Sequence, residues 1–259
     1  ARIDGGFSVW GPARNYWRDE NTGGDRPPAY QFSKNQLWDG LDEERGEGSK
    51  RTICNGLLRD IETWRLRSNG AFALLQQVLE TLSPSEHERL ELGEGVRVLL
   101  DDVRDVPTIR MPYGFVPVTQ AAAGIRRVLS LSYLLVWAWT EHVRAAELQR
   151  DTPTQRMVLL FDEIEAHLHP RWQRVLLPAL LRVVTSQLLR GAGTSIQVIS
   201  TTHSPLVLSS LETEWDDEND RLFDLDLNRD RQVELRVVPF AKLGSAENWL
   251  SSPVFDLPT

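Results

Sequence analysis

Four consecutive apolar residues, Val158-Leu159-Leu160-Phe161, run directly into two carboxylates, Asp162-Glu163, and no other stretch constrains this 259-residue chain as tightly. The run is short, shows no polar alternation and is bounded by polar residues, the pattern of a strand buried on both faces of a parallel sheet. Ile196-Gln197-Val198-Ile199-Ser200 reads the same way and leads into Thr201-Thr202-His203-Ser204-Pro205. Between the two, Pro170 opens a helix expected to reach about Leu189, with a kink at Pro178. Strand, helix, strand in this order is by default a right-handed crossover, so the fold class is α/β. If the two strands neighbour each other, both polar ends emerge on one edge, where ligands of open α/β sheets bind.

The remainder of the chain can support a core of that kind. It is 41% hydrophobic and 25% charged, typical of globular proteins, and its length allows one large domain or two small ones. The single Cys54 excludes an intramolecular disulfide and fits a reducing cytoplasm. The longest apolar stretches, residues 128–139 and 175–184, are interrupted by Ser, Pro or Arg before the ~18 residues a membrane span needs, so no membrane is expected. A net charge of −8 and a pI near 5.2 argue against indiscriminate binding of polyanions but leave room for a local basic patch.

Residues 1–50 mix aromatics with Gly23-Gly24 and Pro27-Pro28 and read as a strand at residues 7–10 followed by a long loop. From Thr52, Ile53, Leu57, Ile61 and Trp64 recur at helical spacing, and Phe72, Leu75, Val78, Leu79 and Leu82 repeat the pattern, giving two amphipathic helices. Ser83-Pro84-Ser85-Glu86 announces another short helix, completing a helical subdomain over residues 52–93. A strand at 96–100, a hairpin of 108–110 with 115–118 about Pro112-Tyr113-Gly114, and a long helix from about Gly124 to Arg150 follow. Glu212, Glu214, Asp216, Asp217, Glu218 and Asp220 crowd into one segment read as a solvated loop, ahead of a hairpin of 222–227 with 233–238. The expected organisation is a lobe of residues 1–118 and a second of 119–259.

A carboxylate held rigidly at a strand end can bind Mg²⁺, and a neighbouring one can polarise an attacking water. Equally, Asp and Glu are at home at a helix N-terminus, and a His before Ser-Pro suits a turn or cap. His167 and His169 are spaced so that on a helix they diverge, which disfavours dedicated Zn²⁺ or Mn²⁺ ligation with Asp162, Glu163 and Glu165. Cys54 has no neighbouring His in sequence and reads as structural. The nine Trp read as core or interface anchors, and Arg171 and Arg174 as a solvated helix face.

Asp162-Glu163-Ile164-Glu165-Ala166-His167-Leu168-His169-Pro170, followed by Ser200-Thr201-Thr202-His203-Ser204-Pro205, resembles the Walker B, D-loop and switch-histidine regions of ABC-type ATPases. The likeness is to the branch of SMC, RecF and OLD-like heads, especially prokaryotic AAA-type ATPases with Glu-x-x-x-His-Leu-His-Pro. It covers about residues 116–211. It implies a P-loop NTPase-like head with a mixed or parallel central sheet, and makes Asp162 the Mg²⁺ carboxylate, Glu163 the general base and His203 the γ-phosphate sensor. Ala122, Ala123 and Gly124 would form the signature that presses on ATP bound by an opposing subunit, with Glu165 and His169 in the D-loop at the interface. Cofactors are then ATP and Mg²⁺, and the assembly a homodimer of heads with ATP sandwiched between them. The implied contexts are DNA repair or phage defence, with a nuclease partner and DNA.

Two departures stand out. Ala122 occupies a position where the signature usually has Ser. No Gly-x-x-x-x-Gly-Lys-Ser/Thr occurs, and Gly46-Glu47-Gly48-Ser49-Lys50-Arg51-Thr52 has the wrong spacing for a phosphate cradle. In the family that cradle precedes everything seen here, so a chain opening at Ala1 rather than Met is expected to lack the first portion of a longer protein. The alternative functions are a non-catalytic interaction module of the same fold and a metal-dependent nuclease using Asp162, Glu163 and Glu165.

Overall fold

The computed structural model describes residues 7–10, 29–45, 48–67, 70–153, 156–186, 195–228 and 230–255. Gly23-Gly24, Pro27-Pro28, Gly46, Glu47 and the expected helix end near Leu189 lie outside them. Strand β1 (Phe7–Trp10) pairs antiparallel with β2 (Ala29–Phe32). The segment read as loop then holds a helix, α1 (Lys34–Asp39), started by a reciprocal cap: Ser33 Oγ accepts from Gln36 N, and Gln36 Oε1 from Ser33 N. Next comes an antiparallel pair, β3 (Leu41–Arg45) and β4 (Ser49–Cys54), so Thr52 and Ile53 belong to a strand and not to the expected helix. Helix α2 (Leu57–Arg67) starts only after Gly56, whose φ of +88° breaks the pattern. A Cβ on Gly56 would lie 2.4 Å from the Gly40 nitrogen, so this crossing needs glycine.

Helix α3 (Ala71–Thr81) buries Leu75, Val78 and Leu79. The helix expected at Ser83 shrinks to a single 3₁₀ turn, Glu86–Glu88, because Ser83 Oγ is used elsewhere: it donates to Leu79 O and accepts from Leu90 N. An antiparallel sheet of β5 (Leu92–Arg97), β6 (Asp105–Met111) and β7 (Gly114–Pro117) follows, with Pro117 ending an edge strand as expected. The strand expected at 96–100 sits earlier in the chain, and Leu99 and Leu100 are exposed. Helix α4 (Ala123–Gln149), about 40 Å long at 1.5 Å per residue, runs through the core and stops at Arg150 in the left-handed conformation. Tyr133, Val136 and Leu129 on it are fully enclosed.

Strands β8 (Arg156–Phe161) and β9 (Ser195–Ser200) are parallel and in register from Arg156↔Ser195 to Phe161↔Ser200, as the crossover reading requires. Burial on both faces is not observed. Leu159, Phe161, Ile196 and Val198 pack on the core, whereas Val158 and Leu160 are 55% and 68% exposed. The physical reason is that the sheet comprises two strands among the described residues, with nothing described against its outer face. The connecting helix is two helices, α5 (Pro170–Gln173) and α6 (Leu176–Thr185), rather than one kinked one. A proline ring clashes with the carbonyl four residues earlier, which for Pro178 is Arg174. The chain therefore breaks at Arg174-Val175 and restarts with Pro178 in the first turn, where no N–H is required.

Helix α7 (Pro205–Ser210) leads through the acidic segment to the antiparallel hairpin β10 (Leu222–Leu227) and β11 (Val233–Val238), with the expected bounds. Short helix α8 (Ala246–Leu250) folds back. The acidic segment is not uniformly solvated: Glu212 accepts from Leu243 N, Gly244 N and Trp249 Nε1, tying α8 to the end of α7. One contiguous hydrophobic cluster runs from Phe32 to Leu211. No helix among the described residues is long and apolar enough to cross a membrane.

Candidate functional site

Register places Phe161 opposite Ser200, so residues 162 and 201 leave the sheet side by side. Thr201 N donates to Phe161 O at 2.8 Å, extending the ladder by one bond. The Thr201 hydroxyl then serves both carboxylate residues: it donates to Asp162 Oδ1 at 2.6 Å and accepts from Glu163 N at 2.9 Å. Glu163 adopts φ +47°, a left-handed conformation that costs a residue with a Cβ about 1–3 kcal/mol. Its carbonyl accepts from Arg127 Nη2 at 2.9 Å, so the backbone is tied on both sides of the strained residue. The Glu163 carboxylate projects into solvent with Oε1 4.0 Å from His203 Nε2, the two side chains being 57% and 85% exposed.

Residues 164–169 form a compact turn instead of a helix. Ala166 N donates to Glu163 O and Leu168 N to Glu165 O, while buried Ile164 and Leu168 pin the turn to the core. His167 also has positive φ, +62°. His169 caps α5: its Nδ1 accepts from Arg171 N at 3.3 Å, with Pro170 at the first helical position. Glu165 turns inward, with Oε2 accepting from the Thr202 hydroxyl at 2.7 Å and Oε1 from His203 N at 2.6 Å. The N-terminus of α4 abuts the same turn. A Cβ on Gly124 would meet His167 O at 3.5 Å, an ordinary contact, so local packing does not demand glycine there. Ala122 is the N-cap of α4 and supplies no side-chain hydrogen bond.

Asp162, Glu163, Glu165 and His203 are thus brought together, with Gly124 and His169 at the margins. Asp162 Oδ2 has no protein hydrogen bond among the described residues, leaving one open carboxylate oxygen. No group of three or more His, Cys, Asp or Glu able to hold a metal occurs among those residues. A single open carboxylate suits Mg²⁺, which keeps waters and takes further oxygens from substrate phosphates, better than it suits Zn²⁺. Burial lowers the Arg127 pKa, opposed by Glu165 and Glu163, but a guanidinium remains charged.

Two partners of the site, Thr201 and Arg127, stand within or beside motifs that the sequence displays, yet their contacts are long-range and left no periodic trace. A buried polar cluster elsewhere was invisible to periodicity altogether. Asp60 accepts from Asn55 Nδ2 and the Tyr133 hydroxyl at 2.9 and 2.8 Å, and Tyr133 Oη lies 3.2 Å from Cys54 Sγ. Desolvation raises the pKa of all three titratable groups. Above it opens a cleft of about 180 Å³ bordered by Arg59, Arg67, Glu141 and Arg144.

A protein-family model described as "AAA domain, putative AbiEii toxin, Type IV TA system" matches residues 26–209. That span includes the whole edge just described. The retron Vc95 probable ATPase of Vibrio cholerae serotype O1 biovar El Tor is 40% identical over 57 residues, covering 22% of this chain and 9% of that protein. Among solved structures, one from work on ATP-driven dimerization and DNA stimulated activation of SMC ATPases aligns with TM-score 0.42 and 11% identity, over 70% of this chain and 90% of that one. The SmcHead bound to the C-winged helix domain of ScpA aligns with TM-score 0.40 and 13% identity, over 70% and 46%.

Proposed function

Because this chain belongs to the AAA-domain family described as putative AbiEii toxin of type IV toxin–antitoxin systems, we propose that the carboxyl edge of β8 and β9 is the hydrolytic part of an ATPase centre. The observation that carries this reading is the exposed Glu163 carboxylate, 4.0 Å from His203 Nε2 and mounted on a backbone tied by Arg127 and Thr201. A base must be held still while water moves to it, and a strained residue braced on both sides meets that need.

In this reading Glu163 accepts the proton of the attacking water, and His203 donates a hydrogen bond to an oxygen of the γ-phosphoryl group. Asp162, steadied by Thr201, would hold Mg²⁺ through its open Oδ2. Bound Mg²⁺ would supply positive charge to the phosphate oxygens as the transition state forms. Gly124, with Ala122 and Ala123, faces the nucleotide of a second copy, and His169 lies toward that interface. The 259-residue sequence contains no Gly-x-x-x-x-Gly-Lys-Ser/Thr, so the roles assigned here cover hydrolysis and not the main grip on ATP. A setting in phage defence or DNA repair, coupled to a nuclease, belongs to the same proposal.

Two substitutions in the full-length protein test the assignment. Asp162→Asn should raise the Mg²⁺ concentration needed for half-maximal ATP turnover about tenfold or more, because an amide oxygen is a poorer ligand for a hard cation. His203→Ala should lower kcat more than it raises KM, since its contact strengthens as charge develops. An unchanged Mg²⁺ dependence in the first, or a pure KM effect in the second, contradicts the role given.

A further inference from the structure

We propose that Glu165 is the positioning residue of His203 within its own chain. The inference rests on the ATPase reading for its meaning in catalysis, but its geometry is independent of that reading. Glu165 uses both carboxylate oxygens on consecutive donors of one short segment, Oε2 on the Thr202 hydroxyl at 2.7 Å and Oε1 on His203 N at 2.6 Å. Thr202 Oγ1 accepts in turn from Ser204 N at 3.1 Å. Ser204 Oγ donates to Gln173 Oε1 at 2.7 Å, and Gln173 Nε2 donates to Leu168 O at 2.9 Å. These bonds close a ring joining the 165–168 turn to the 202–204 segment, and Glu165 is its one charged member.

The imidazole itself has no such support. Its ring makes no hydrogen bond among the described residues, its Nε2 lies 4.0 Å from Glu163 Oε1, and the side chain is 85% exposed. The segment carrying it lies between β9 and α7 and has no regular structure of its own, and Ser204 gives α7 no side-chain cap. What locates the histidine is therefore its backbone, and what locates the backbone is Glu165. A group misplaced by about 1 Å can lose on the order of a hundredfold in rate. An ionised acceptor is the fitting choice, because Thr202 and His203 both present donors and a carboxylate is acceptor-only. A glutamine can accept only through its single oxygen, and turns its NH₂ toward the other donor.

Two readouts separate this role from a merely structural one. Residue-resolved amide hydrogen exchange should show the His203 amide exchanging at least about tenfold faster in Glu165→Ala, and by an intermediate factor in Glu165→Gln, a near-isosteric variant chosen to preserve the fold. The Thr201 amide, bonded to Phe161 O, should be unchanged. In the full-length protein, Glu165→Ala should lower kcat about tenfold or more with KM within about threefold, and Glu165→Gln should recover part of the loss. The double variant Glu165→Ala/His203→Ala should be no slower than His203→Ala alone, since a residue acting through another adds nothing once that other is gone. Unaltered His203 exchange in both variants, or rate losses that multiply in the double variant, overturns the proposal. A wild-type protein without ATP turnover would defeat the ATPase reading and leave the exchange measurement to decide on the clamp.

Discussion

Asp60 and Asp162 are both aspartates held by a hydroxyl, Tyr133 Oη at 2.8 Å for one and Thr201 Oγ1 at 2.6 Å for the other, yet they do opposite things. Asp60 is 3% exposed, and both its oxygens are taken, by Asn55 and by Tyr133. Desolvation raises its pKa in spite of those two bonds. Asp162 is exposed and keeps one oxygen open beside a strained residue. The difference teaches that a hydroxyl partner can serve two ends: in the interior it completes a carboxylate, and at the sheet edge it leaves one carboxylate oxygen open. The buried cluster satisfies its own polar groups and joins α2 to α4, whereas at the sheet edge Asp162 Oδ2 has no protein partner among the described residues.

The sharpest way to break that contrast is to alter one carboxylate in each region. In the full-length protein, Glu163→Gln should reduce ATP turnover by about 10²–10⁴ with little change in thermal midpoint, because an amide keeps the shape but takes no proton. Asp60→Ala should do the reverse. It strands the Tyr133 hydroxyl and the Asn55 amide, and should cost about 2–4 kcal/mol in urea unfolding with near-normal turnover while folded. The ionisation of Asp60 gives a smaller effect with a definite sign. Its folded pKa is raised above the ordinary 3.8, so its contribution is fully present below that value and is lost as pH rises through the folded pKa. Asp60→Asn cannot ionise. Its stability relative to wild type should therefore rise as pH increases from about 3.8, then level off; Glu62, also raised by burial, is common to both proteins and cancels, whereas Glu141, raised by burial and in part by the Asp60 charge, is raised less in the variant and changes the difference in the same direction.

At the edge, Ala122→Ser should supply the missing cap of α4, worth about 1 kcal/mol. Faster turnover in the same variant would extend the comparison to the opposing subunit's nucleotide, whereas stabilisation alone would confine the serine to a capping role. The smallest change expected is for Glu88→Ala, which removes a 2.7 Å pair with Arg171 whose partners are both exposed. A loss under about 1 kcal/mol by chemical denaturation is anticipated.

How much of this was legible in the sequence depended on how local the cause was. The strands β8 and β9, the hairpin of β10 and β11, and the long apolar helix ending at Arg150 appear where the sequence places them. Helical spacing misled at Thr52-Ile53, because four residues cannot tell a helix from a strand that happens to precede one. The cap Ser33-x-x-Gln36 is a local signal that the reading of this stretch as loop did not use. Pro178 announced a disturbance, but whether a helix bends or breaks depends on what holds its first part, here the His169 cap and the Gln173 bonds. Burial of β8 on one face only, and the seizure of Glu212 by Leu243, Gly244 and Trp249, are set by distant partners. The site shows the same division. Asp162, Glu163 and His203 could be named from motif and strand ends, whereas the inward turn of Glu165 and the brace from Arg127 depend on contacts between segments that no spacing rule connects.

The central claim, that a γ-phosphate is handled at the edge of β8 and β9 and not at the arginine-bordered cleft over Asp60, can be tested by labelling. An ATP analogue bearing a photoreactive aryl azide on its γ-phosphate would be irradiated with the full-length protein in the presence of Mg²⁺, and the adducts mapped by mass spectrometry. The expected result is labelling within residues 162–169 and 201–204, abolished by excess Mg-ATP. Adducts confined to the cleft lined by Arg59, Arg67 and Arg144, or edge labelling that Mg-ATP does not displace, would contradict it.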